Sequence, residues 1–195
     1  MSVPADTHTP GDASSPRVET ARMTLVASTL PMLRAELTRP DEFARLLDAE
    51  VATPWPPPLN DEQSNRWMAR YLEENPDAIG WGMWYFVLKK GPTGGPIAIG
   101  NGGFKGKPSE DGTVEIGYSV VEAYQKRGLG SEGARALIER AFRDPAVTRV
   151  IAETFPDLTP SIHVLEHNGF VRTAEAGSEP GVIRFELKRG WLEPA

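Results

Sequence analysis

Two periodicities of hydrophobic and polar residues alternate along this chain and predict a mixed α/β (α+β) protein. Apolar residues three or four positions apart predict helices, whereas short apolar or alternating runs rich in β-branched and aromatic residues predict strands. The predicted order of elements, βααβββαβαββ, is typical of a single mixed, twisted central sheet flanked by helices. Strands are predicted over residues 18–26, 81–88, 97–104, 114–121, 149–155, 170–174 and 182–187, and helices over residues 30–49, 60–72, 130–142 and 159–168.

Helix boundaries are marked by residues with strong positional preferences. Pro40 divides the first helical segment in two, because proline disfavours helix at the residue before it and suits a first turn. Asn60, with Gln63 three residues later, predicts an N-terminal capping box. Thr159, which a proline follows, predicts a further N-cap, and Gly169 predicts a left-handed residue that ends the last helix.

Composition narrows the class of protein. The 195 residues, 39% of them hydrophobic, suffice for one well-buried domain, which we assign to residues 17–195. Residues 1–16 carry little that can be buried and are predicted to form a disordered arm. A net charge of −6 argues against a broad surface for nucleic acid or anionic membranes. Without a secretion signal or a long apolar run, the chain is expected to be cytoplasmic, and the absence of cysteine excludes disulfides and thiolate chemistry.

The stretch from residue 115 to residue 133 carries the clearest chemical signal. A β-branched run leads through a polar turn to two closely spaced glycines, and a helical pattern begins at once. Such an arrangement forms an anion site, because unpaired backbone N–H groups converge at the helix N-terminus and the helix dipole favours negative charge. Lys126 and Arg127 add cationic side chains beside the turn. The sequence therefore predicts a phosphate-bearing cofactor here.

Three known phosphate-binding loops contain glycines with related spacing. A Walker loop is excluded, because Gly130 is followed by Ser131 without the lysine that the motif requires. The dinucleotide-binding fingerprint matches Gly128, Gly130 and Gly133, with an acid about twenty residues further on at Glu153. Six mostly polar residues between the strand and the first glycine argue against it, as does the remainder of only 42 residues after the acid. A dehydrogenase stays a distant alternative.

The third loop fits better and brings a family resemblance with it. The segment from Gln125 to Gly130, Gln-Lys-Arg-Gly-Leu-Gly, resembles the acetyl-coenzyme A pyrophosphate loop of the GCN5-related N-acetyltransferase (GNAT) superfamily. Residues 114–118 resemble that family's fourth strand, residues 159–170 its fourth helix, and residues 19–25 its first strand. The resemblance extends in order over roughly residues 18–189 and is closest to the branch that includes ribosomal-protein N-terminal acetyltransferases.

The resemblance implies an acyl-CoA N-acyltransferase fold and direct transfer of acetyl from acetyl-coenzyme A to a primary amine. The pyrophosphate would take backbone N–H groups of residues 127–131, and the main chain at Val120 and Val121 would pair with the pantetheine arm. A backbone N–H at Ser119 or Val120 is the candidate for stabilising charge on the carbonyl oxygen. The candidate cofactor-binding residues are Ser119, Val120, Val121, Gln125, Lys126, Arg127, Gly128, Leu129, Gly130 and Ser131.

An acceptor ammonium must lose a proton before it attacks, so the site needs a base. Glu115 is the first candidate, because it lies on the strand before the cofactor loop and matches an acidic position in parts of the superfamily; a salt-bridged strand carboxylate is the alternative. Glu153, on the neighbouring strand, is the second candidate. Leu165 and Leu158 stand where the resemblance implies a thiolate-protonating tyrosine and an asparagine in many members. Ser161 either offers a hydroxyl toward the thiol or is a solvated first-turn serine, in which case water or the acceptor supplies the proton.

Aromatic residues that follow the first helical segment mark the candidate acceptor pocket. Trp55 lies in the proline-rich segment 53–59 and either covers the core or forms a wall of the pocket, since this region commonly shapes acceptor specificity in the superfamily. Trp67 and Tyr71 share an apolar helix face and either pack in the core or line the pocket from its edge. His163 and His167 lack a third ligand, so we predict surface residues and no metal site.

Two classes of function follow from these residues. The first is an N-acetyltransferase that acts on a small-molecule or amino-acid-like amine; acetylation of a protein N-terminus is its variant, which the acidic chain disfavours. The second is a non-catalytic acyl-CoA-binding module, suggested by the missing tyrosine. Neither nucleic acid nor a membrane is an expected partner, and a homodimer is suggested only by the frequency of dimers in the superfamily.

Overall fold

Nine strands form one mixed sheet in the computed structural model, which describes residues 15–191. They are β1 (Arg17–Glu19), β2 (Met23–Ala27), β3 (Glu50–Val51), β4 (Met83–Leu88), β5 (Ile97–Phe104), β6 (Thr113–Val120), β7 (Arg149–Thr154), β8 (Val171–Ala176) and β9 (Ile183–Lys188). The order across the sheet is β1-β2-β4-β5-β6-β7-β9-β8, with β3 paired to β5 outside this path. The pairs β3–β5 and β6–β7 are parallel and the other pairs are antiparallel, which confirms the predicted mixed sheet.

Helices cover both faces of this sheet. They are α1 (Leu30–Thr38), α2 (Pro40–Leu47), α3 (Glu62–Glu74), α4 (Leu129–Phe142) and α5 (Thr159–His167), and short 3₁₀ segments lie at Pro76–Ala78, Glu122–Tyr124 and Arg189–Trp191. Leu25 and Phe86 pack in a core with α4 and α5, whereas their neighbours Val26 and Tyr85 pack in a second core with α1, α2 and α3. Because side chains alternate along a strand, the two cores lie on opposite faces of the sheet.

The pairing of β6 with β7 is short, and this positions the site. The two strands pair only where Thr113–Glu115 meets Arg149–Ile151. Beyond that point β6 continues to Val120 and stays paired with β5, while β7 continues to Thr154 and stays paired with β9. The sheet therefore opens into a V between two parallel strands, with Glu115 at the vertex.

The sequence pattern was wrong about the first strand. Residues 18–26 were predicted as one strand, but they form a hairpin in which β1 and β2 pair around a turn at Thr20. The Thr20 hydroxyl accepts the N–H of Met23 at 2.9 Å, and the N–H of Thr20 donates to the carbonyl of Met23 at 2.9 Å, so a local hydrogen-bonded turn replaces extended backbone. The two-residue β3 was also missed, because so short a strand leaves no hydrophobic period.

Two helix starts are shifted by one residue from their predicted positions. Asp61, rather than Asn60, is the N-cap of α3, and its side chain accepts the N–H of Ser64 at 2.8 Å. Asn60 is instead held in a turn, in which its N–H donates to the carbonyl of Pro57. Thr159 is the first residue of α5 and not its cap. The break at Pro40 and the left-handed Gly169, with φ +86°, are confirmed.

Residues 1–14 of the predicted disordered arm, and residues 192–195 of the predicted domain, lie outside the described residues. The last two residues of that arm extend the first hairpin. The carbonyl of Pro16 accepts the N–H of Ala27 at 2.9 Å, and the Ser15 hydroxyl donates to the carbonyl of the same residue.

We predict that Gly133→Ala destabilises the fold, because a Cβ at this position in α4 would lie 2.4 Å from the ring of Phe86. Overpacking of this kind costs about 1–3 kcal/mol, which denaturant unfolding of the protein without ligand would measure. Gly130→Ala on the same helix is the matched control, because its Cβ would meet no atom closer than 3.7 Å. Equal stability of the two variants would contradict this account of helix–sheet packing.

Candidate active site

The turn between β6 and α4 forms an anion site built from backbone. Gly128, with φ +74°, adopts a left-handed conformation immediately before α4, and Lys126 is also left-handed, with φ +58°. Within residues 15–191, the six N–H groups from Lys126 to Ser131 donate to no acceptor. A 14-residue helix lies behind them, so its dipole adds positive potential at the same place. These donors fit the diphosphate of coenzyme A.

Side chains around this turn add positive charge and hold its shape. Lys126 and Arg127 are exposed and pair with no carboxylate of the described chain; the Arg127 guanidinium lies over the ring of Tyr124, 5.4 Å from its centre. The Gln125 amide donates to the carbonyl of Val120 at 2.8 Å and so ties the turn to the end of β6. Gln125 therefore supports the loop through its side chain, while the residues after it present their backbone N–H groups.

The free edge of β6 offers a second set of backbone groups. The N–H of Val121 donates to the carbonyl of Ile99 at 2.9 Å, so it is directed toward β5. Because successive N–H groups point to opposite sides of a strand, the N–H groups of Val120 and Tyr118 are directed into the opening toward β7. Unpaired strand groups can bind an extended ligand as an added strand does. Of the two candidate donors to the carbonyl oxygen, this alternation selects Val120 over Ser119.

Glu115 lies at the vertex of the opening, opposite Ile151 of β7. It shares the sheet face of Ser119, which is the face that α1, α2 and α3 cover further along the sheet. Its carboxylate forms an ion pair with Lys105, and the Glu115 side chain is 19% exposed while that of Lys105 is 61% exposed. The pair is therefore formed with a single lysine at the surface, and part of the Glu115 side chain stays open to solvent.

Glu153 lies on the same sheet face but is held by hydrogen bonds. Its carboxylate accepts two bonds from Arg184, at 2.9 and 2.8 Å, and the N–H of Ser178 at 2.9 Å, and its side chain is 6% exposed. Burial alone would raise the pKa of Glu153, but the bonds from Ser178 and Arg184 outweigh it and lower the pKa. So well-paired an anion is a weak base, and the geometry favours Glu115.

Two hydroxyl groups lie where α5 approaches the opening. The Ser161 side chain is half-buried, and its hydroxyl has no hydrogen-bond partner within residues 15–191. The Tyr118 hydroxyl donates to the carbonyl of Ser161 at 3.2 Å, and burial raises the pKa of Tyr118 to about 12. Leu165 is buried in the core between α5 and the sheet. Tyr118 was missed as a site residue, although its strand alternation with Val120 places it on the face of α4 and α5.

Trp55 lies between the core and the proposed acceptor side of the sheet. Its indole N–H donates to Glu36 at 2.8 Å, and its ring centre lies 5.9 Å from that of Phe43. In the same segment, the carbonyl of Pro58 accepts the hydroxyl of Ser119. The segment 53–59 therefore crosses the end of β6 on the face that carries Glu115. Packing on the core and closing one side of the site are compatible roles.

Glu36 anchors this segment and was not predicted from the sequence. Its carboxylate accepts the indole N–H of Trp55, the amide of Asn65 at 2.6 Å and the hydroxyl of Tyr85 at 2.7 Å. These donors come from three parts of the chain, namely the segment 53–59, α3 and β4. Desolvation raises the pKa of Glu36, and the three hydrogen bonds only partly offset it. A tertiary cluster of this kind leaves no local sequence signal.

The other predicted aromatic residues form a separate pair. The rings of Trp67 and Tyr71 stack with their centres 5.5 Å apart, and Trp67 is 49% exposed. Tyr71 reaches the β5–β6 connection, where its hydroxyl accepts the N–H of Lys107 at 3.3 Å. Trp67 is therefore a surface residue of α3, whereas Tyr71 is half-buried and packs against the same core cluster as Trp55.

The histidines at 163 and 167 are both exposed, and no group of three potential metal ligands occurs among residues 15–191. None of the helices in that range is both long enough and apolar enough for a membrane span.

Comparison with known proteins identifies the family. Residues 32–171 match the model of the acetyltransferase (GNAT) domain, and this range covers most of the chain. The chain therefore belongs to the GNAT family of acetyltransferases. This membership confirms the predicted acetyltransferase activity with acetyl-coenzyme A as the donor, and it rules out the dehydrogenase reading of the glycine turn.

Individual relatives agree with this assignment. The uncharacterized N-acetyltransferase YjdG of Bacillus subtilis is 28% identical over 156 residues, which cover 79% of this chain and 89% of the relative. An acetyltransferase structure from Agrobacterium tumefaciens superposes with a TM-score of 0.60 at 22% identity and covers 89% of this chain and 95% of its own. RimL, a ribosomal L7/L12 alpha-N-protein acetyltransferase solved with coenzyme A, gives 0.59 at 17% identity, covering 89% and 98%. At such identities the solved structures establish the fold.

We predict that Gly130→Ala weakens coenzyme A binding without destabilising the protein. The new Cβ has room within the chain, where its nearest neighbour would be 3.7 Å away, but it would stand among the N–H groups that receive the diphosphate. The unfolding free energy should stay the same or rise by about 0.5–1 kcal/mol, since alanine favours helix more than glycine. Isothermal titration with coenzyme A should show an affinity loss of about tenfold, equivalent to one hydrogen bond to a charged group. Unchanged affinity would place the diphosphate elsewhere.

Proposed function

We propose that this acetyltransferase transfers acetyl directly from acetyl-coenzyme A to the primary amine of a small-molecule or amino-acid-like acceptor. The observation that carries the proposal is the course of the segment 53–59, whose Pro58 carbonyl accepts a hydrogen bond from Ser119 at the end of β6. A segment anchored over this strand end narrows the approach to the reacting carbon. The net charge of −6 supports the same choice, since an RNA-rich particle favours a basic partner.

Backbone groups hold the donor in this proposal. Bound acetyl-coenzyme A supplies an acetyl thioester as the reactive group. The N–H groups from Lys126 to Ser131 bind its diphosphate, and the free edge of β6 pairs with its extended arm. The N–H of Val120, directed into the opening, stabilises negative charge on the carbonyl oxygen. Because the backbone fixes these donors in place, they need not reorganise when charge develops during the reaction.

Side chains on the two sides of the opening move the protons. Glu115 takes a proton from the acceptor ammonium, so that the free amine forms the new C–N bond as the C–S bond breaks. The nitrogen gives up its second proton to solvent as the amide forms, and Glu115 releases the first one there afterwards. The hydroxyl of Ser161, which has no partner within the described chain, supplies a proton to the leaving sulfur and takes one back from solvent. Tyr118 holds the carbonyl of Ser161 and thereby positions the first turn of α5. Glu153 has no role in this scheme, because an ion pair with Arg184 and hydrogen bonds from Ser178 already stabilise its anion.

We predict that Glu115→Gln lowers kcat by about a hundredfold, the range expected for loss of a general base. Coenzyme A affinity should not change, because the donor is bound through backbone beyond this residue. Release of free thiol with a saturating amine acceptor measures the first quantity, and calorimetric titration the second.

Glu110→Gln is the matched control, since Glu110 is an exposed carboxylate in the β5–β6 connection and its loss changes the net charge equally. If Glu115→Gln keeps the full rate, or if the control loses as much, Glu115 is a structural partner of Lys105 and not the base.

We predict that small primary amines and free amino acids are acetylated with higher kcat/KM than the N-terminus of a peptide of ten or more residues. Competition between the two acceptor classes, followed by mass spectrometry, would measure the ratio. Faster turnover of the peptide would favour the alternative function, acetylation of a protein N-terminus. The structural neighbour RimL is named for this activity.

The same acceptor panel tests the role of Trp55. Trp55→Phe removes the indole N–H that Glu36 accepts and should raise KM for the amine severalfold while coenzyme A affinity is unchanged. Trp67→Phe serves as the control, because Trp67 is exposed. Among the aromatic ring contacts of the described residues, its only partner is Tyr71. A loss of thermal stability without a change in KM would assign Trp55 to the core alone.

A further inference from the structure

Arg22 lies in the turn between β1 and β2 and reaches the N-terminus of α4, more than a hundred residues later in the chain. Its Nη1 donates to the carbonyl of Arg127 at 2.8 Å, at the residue before the left-handed Gly128. Its Nε donates to Glu132 at 2.6 Å, and its backbone N–H donates to the same carboxylate at 2.8 Å. The turn between β1 and β2 is therefore joined to the cofactor loop through three hydrogen bonds of one residue.

The remaining terminal nitrogen of Arg22 is directed at the anion site. Its Nη2 donates to no acceptor within residues 15–191 and lies 3.4 Å from the position that a Cβ on Gly128 would occupy. It thus stands beside the N–H groups of residues 126–131, which also lack acceptors. Arg22 Nη2 and these N–H groups come from two distant segments of the chain. None of them has an acceptor within the described residues.

Electrostatics makes this placement unfavourable in the absence of an anion. A helix N-terminus carries positive potential, so cations are normally favoured at the opposite end of a helix. Here Arg22, Lys126 and Arg127 all stand at the positive end of α4, and Glu132 is the acidic residue of its first turn. A bound diphosphate would offset both the dipole and the excess of cations.

Glu132 is committed to holding Arg22 and its turn. Its carboxylate accepts the hydroxyl of Thr20 at 2.6 Å in addition to the two bonds from Arg22, and its side chain is 17% exposed. Burial by itself raises the pKa of Glu132, yet the hydrogen bonds from Thr20 and Arg22 prevail and lower it. The carboxylate therefore stays ionised and fixes the plane of the guanidinium.

We propose that Arg22 is a cofactor-binding residue, whose Nη2 donates to the diphosphate of coenzyme A and whose orientation Glu132 and the Arg127 carbonyl fix. The inference rests on acetyl-coenzyme A being the donor. It adds to the glycine turn a ligand from the first hairpin, which the loop motif does not include. Glu132 is in this account a positioning residue, since it acts only through Arg22.

The first test is calorimetric titration of coenzyme A and of dephospho-coenzyme A, which lacks the 3′-phosphate. Arg22→Gln should weaken both ligands by about tenfold, as expected for a lost charge-assisted hydrogen bond. Arg66→Gln is the control, because Arg66 pairs with Glu62 on α3, away from the turn before α4, and its side chain is also exposed. The control should lose less than about twofold, the effect of a screened surface charge.

Three results would overturn the proposal. Unchanged affinity in Arg22→Gln would show that Nη2 meets no phosphate, and an equal loss in Arg66→Gln would reduce the effect to general electrostatics. A loss with coenzyme A but not with dephospho-coenzyme A would assign Arg22 to the 3′-phosphate. If the wild-type protein binds neither ligand, the proposed function itself fails. If the wild-type protein binds and Arg22→Gln binds equally well, only the role of Arg22 fails.

The second test depends on the sign of the effect of Glu132→Gln. A carboxylate near a diphosphate repels it, so its neutralisation alone should strengthen coenzyme A binding. If Glu132 orients Arg22, the same substitution should instead weaken binding about threefold or more, and Arg22→Gln combined with Glu132→Gln should be no weaker than Arg22→Gln alone. Tighter binding by Glu132→Gln contradicts the proposal.

Steady-state kinetics separate binding from structural damage. The KM for acetyl-coenzyme A should rise about tenfold in Arg22→Gln while kcat at saturating donor is unchanged, and Arg22→Lys, which keeps the charge, should recover part of the loss. Thermal melting without ligand reports any weakening of the hairpin itself. A fall in kcat together with a lower melting temperature, and with KM unchanged, would make Arg22 a structural residue only.

Discussion

The separation of β6 from β7 beyond Glu115 is the constraint on which the rest of the site depends. Strands that stayed paired would use the N–H groups of Tyr118 and Val120 within the sheet, and no edge would remain for an extended ligand. Each strand keeps its outer neighbour, so the opening costs pairing on one edge alone. The same divergence leaves room for α5 to approach β6, where Tyr118 contacts the first turn of the helix.

Hydrogen-bond donors and cations lie together beside this opening. Within the described residues, most of them have neither an acceptor nor a carboxylate partner. Backbone N–H groups of residues 126–131, the dipole of α4 and the side chains of Lys126 and Arg127 all act at one corner. Such an arrangement is stable only with an anion or water in place, because unpaired donors and like charges both carry a cost. The first hairpin, through Arg22 and Glu132, belongs to the same corner. This corner is therefore built from two distant segments of the chain.

On the opposite face, a partly buried acid, Glu36, connects the elements around the site. Glu36 joins α3, β4 and the segment 53–59 through three neutral donors, and this arrangement holds Trp55 against Phe43 and Tyr85. The two sides of the proposed site thus differ in kind. The segment 53–59 forms a wall of side chains on one side, and the N–H groups of residues 126–131 form a cradle of backbone donors on the other. The cradle suits the part of the donor that every family member shares, whereas the wall is built from side chains and can differ between acceptors.

The sequence alone determined the sheet and helix pattern, the family and the glycine turn, because each depends on local periodicity or on contiguous residues. Most strand and helix limits agree within two residues of those predicted from the sequence. Local signals failed at Thr20, where a side chain converts a strand into a hairpin, and at the cap of α3, where Asp61 replaces Asn60. Tertiary structure alone decided which backbone N–H groups face the opening and that Glu115 is more exposed than Glu153. It also decided that Glu36 contacts the segment 53–59 and that Arg22 contacts the turn before α4. These facts depend on contacts between residues far apart in the chain, and such contacts leave no period or motif in the sequence.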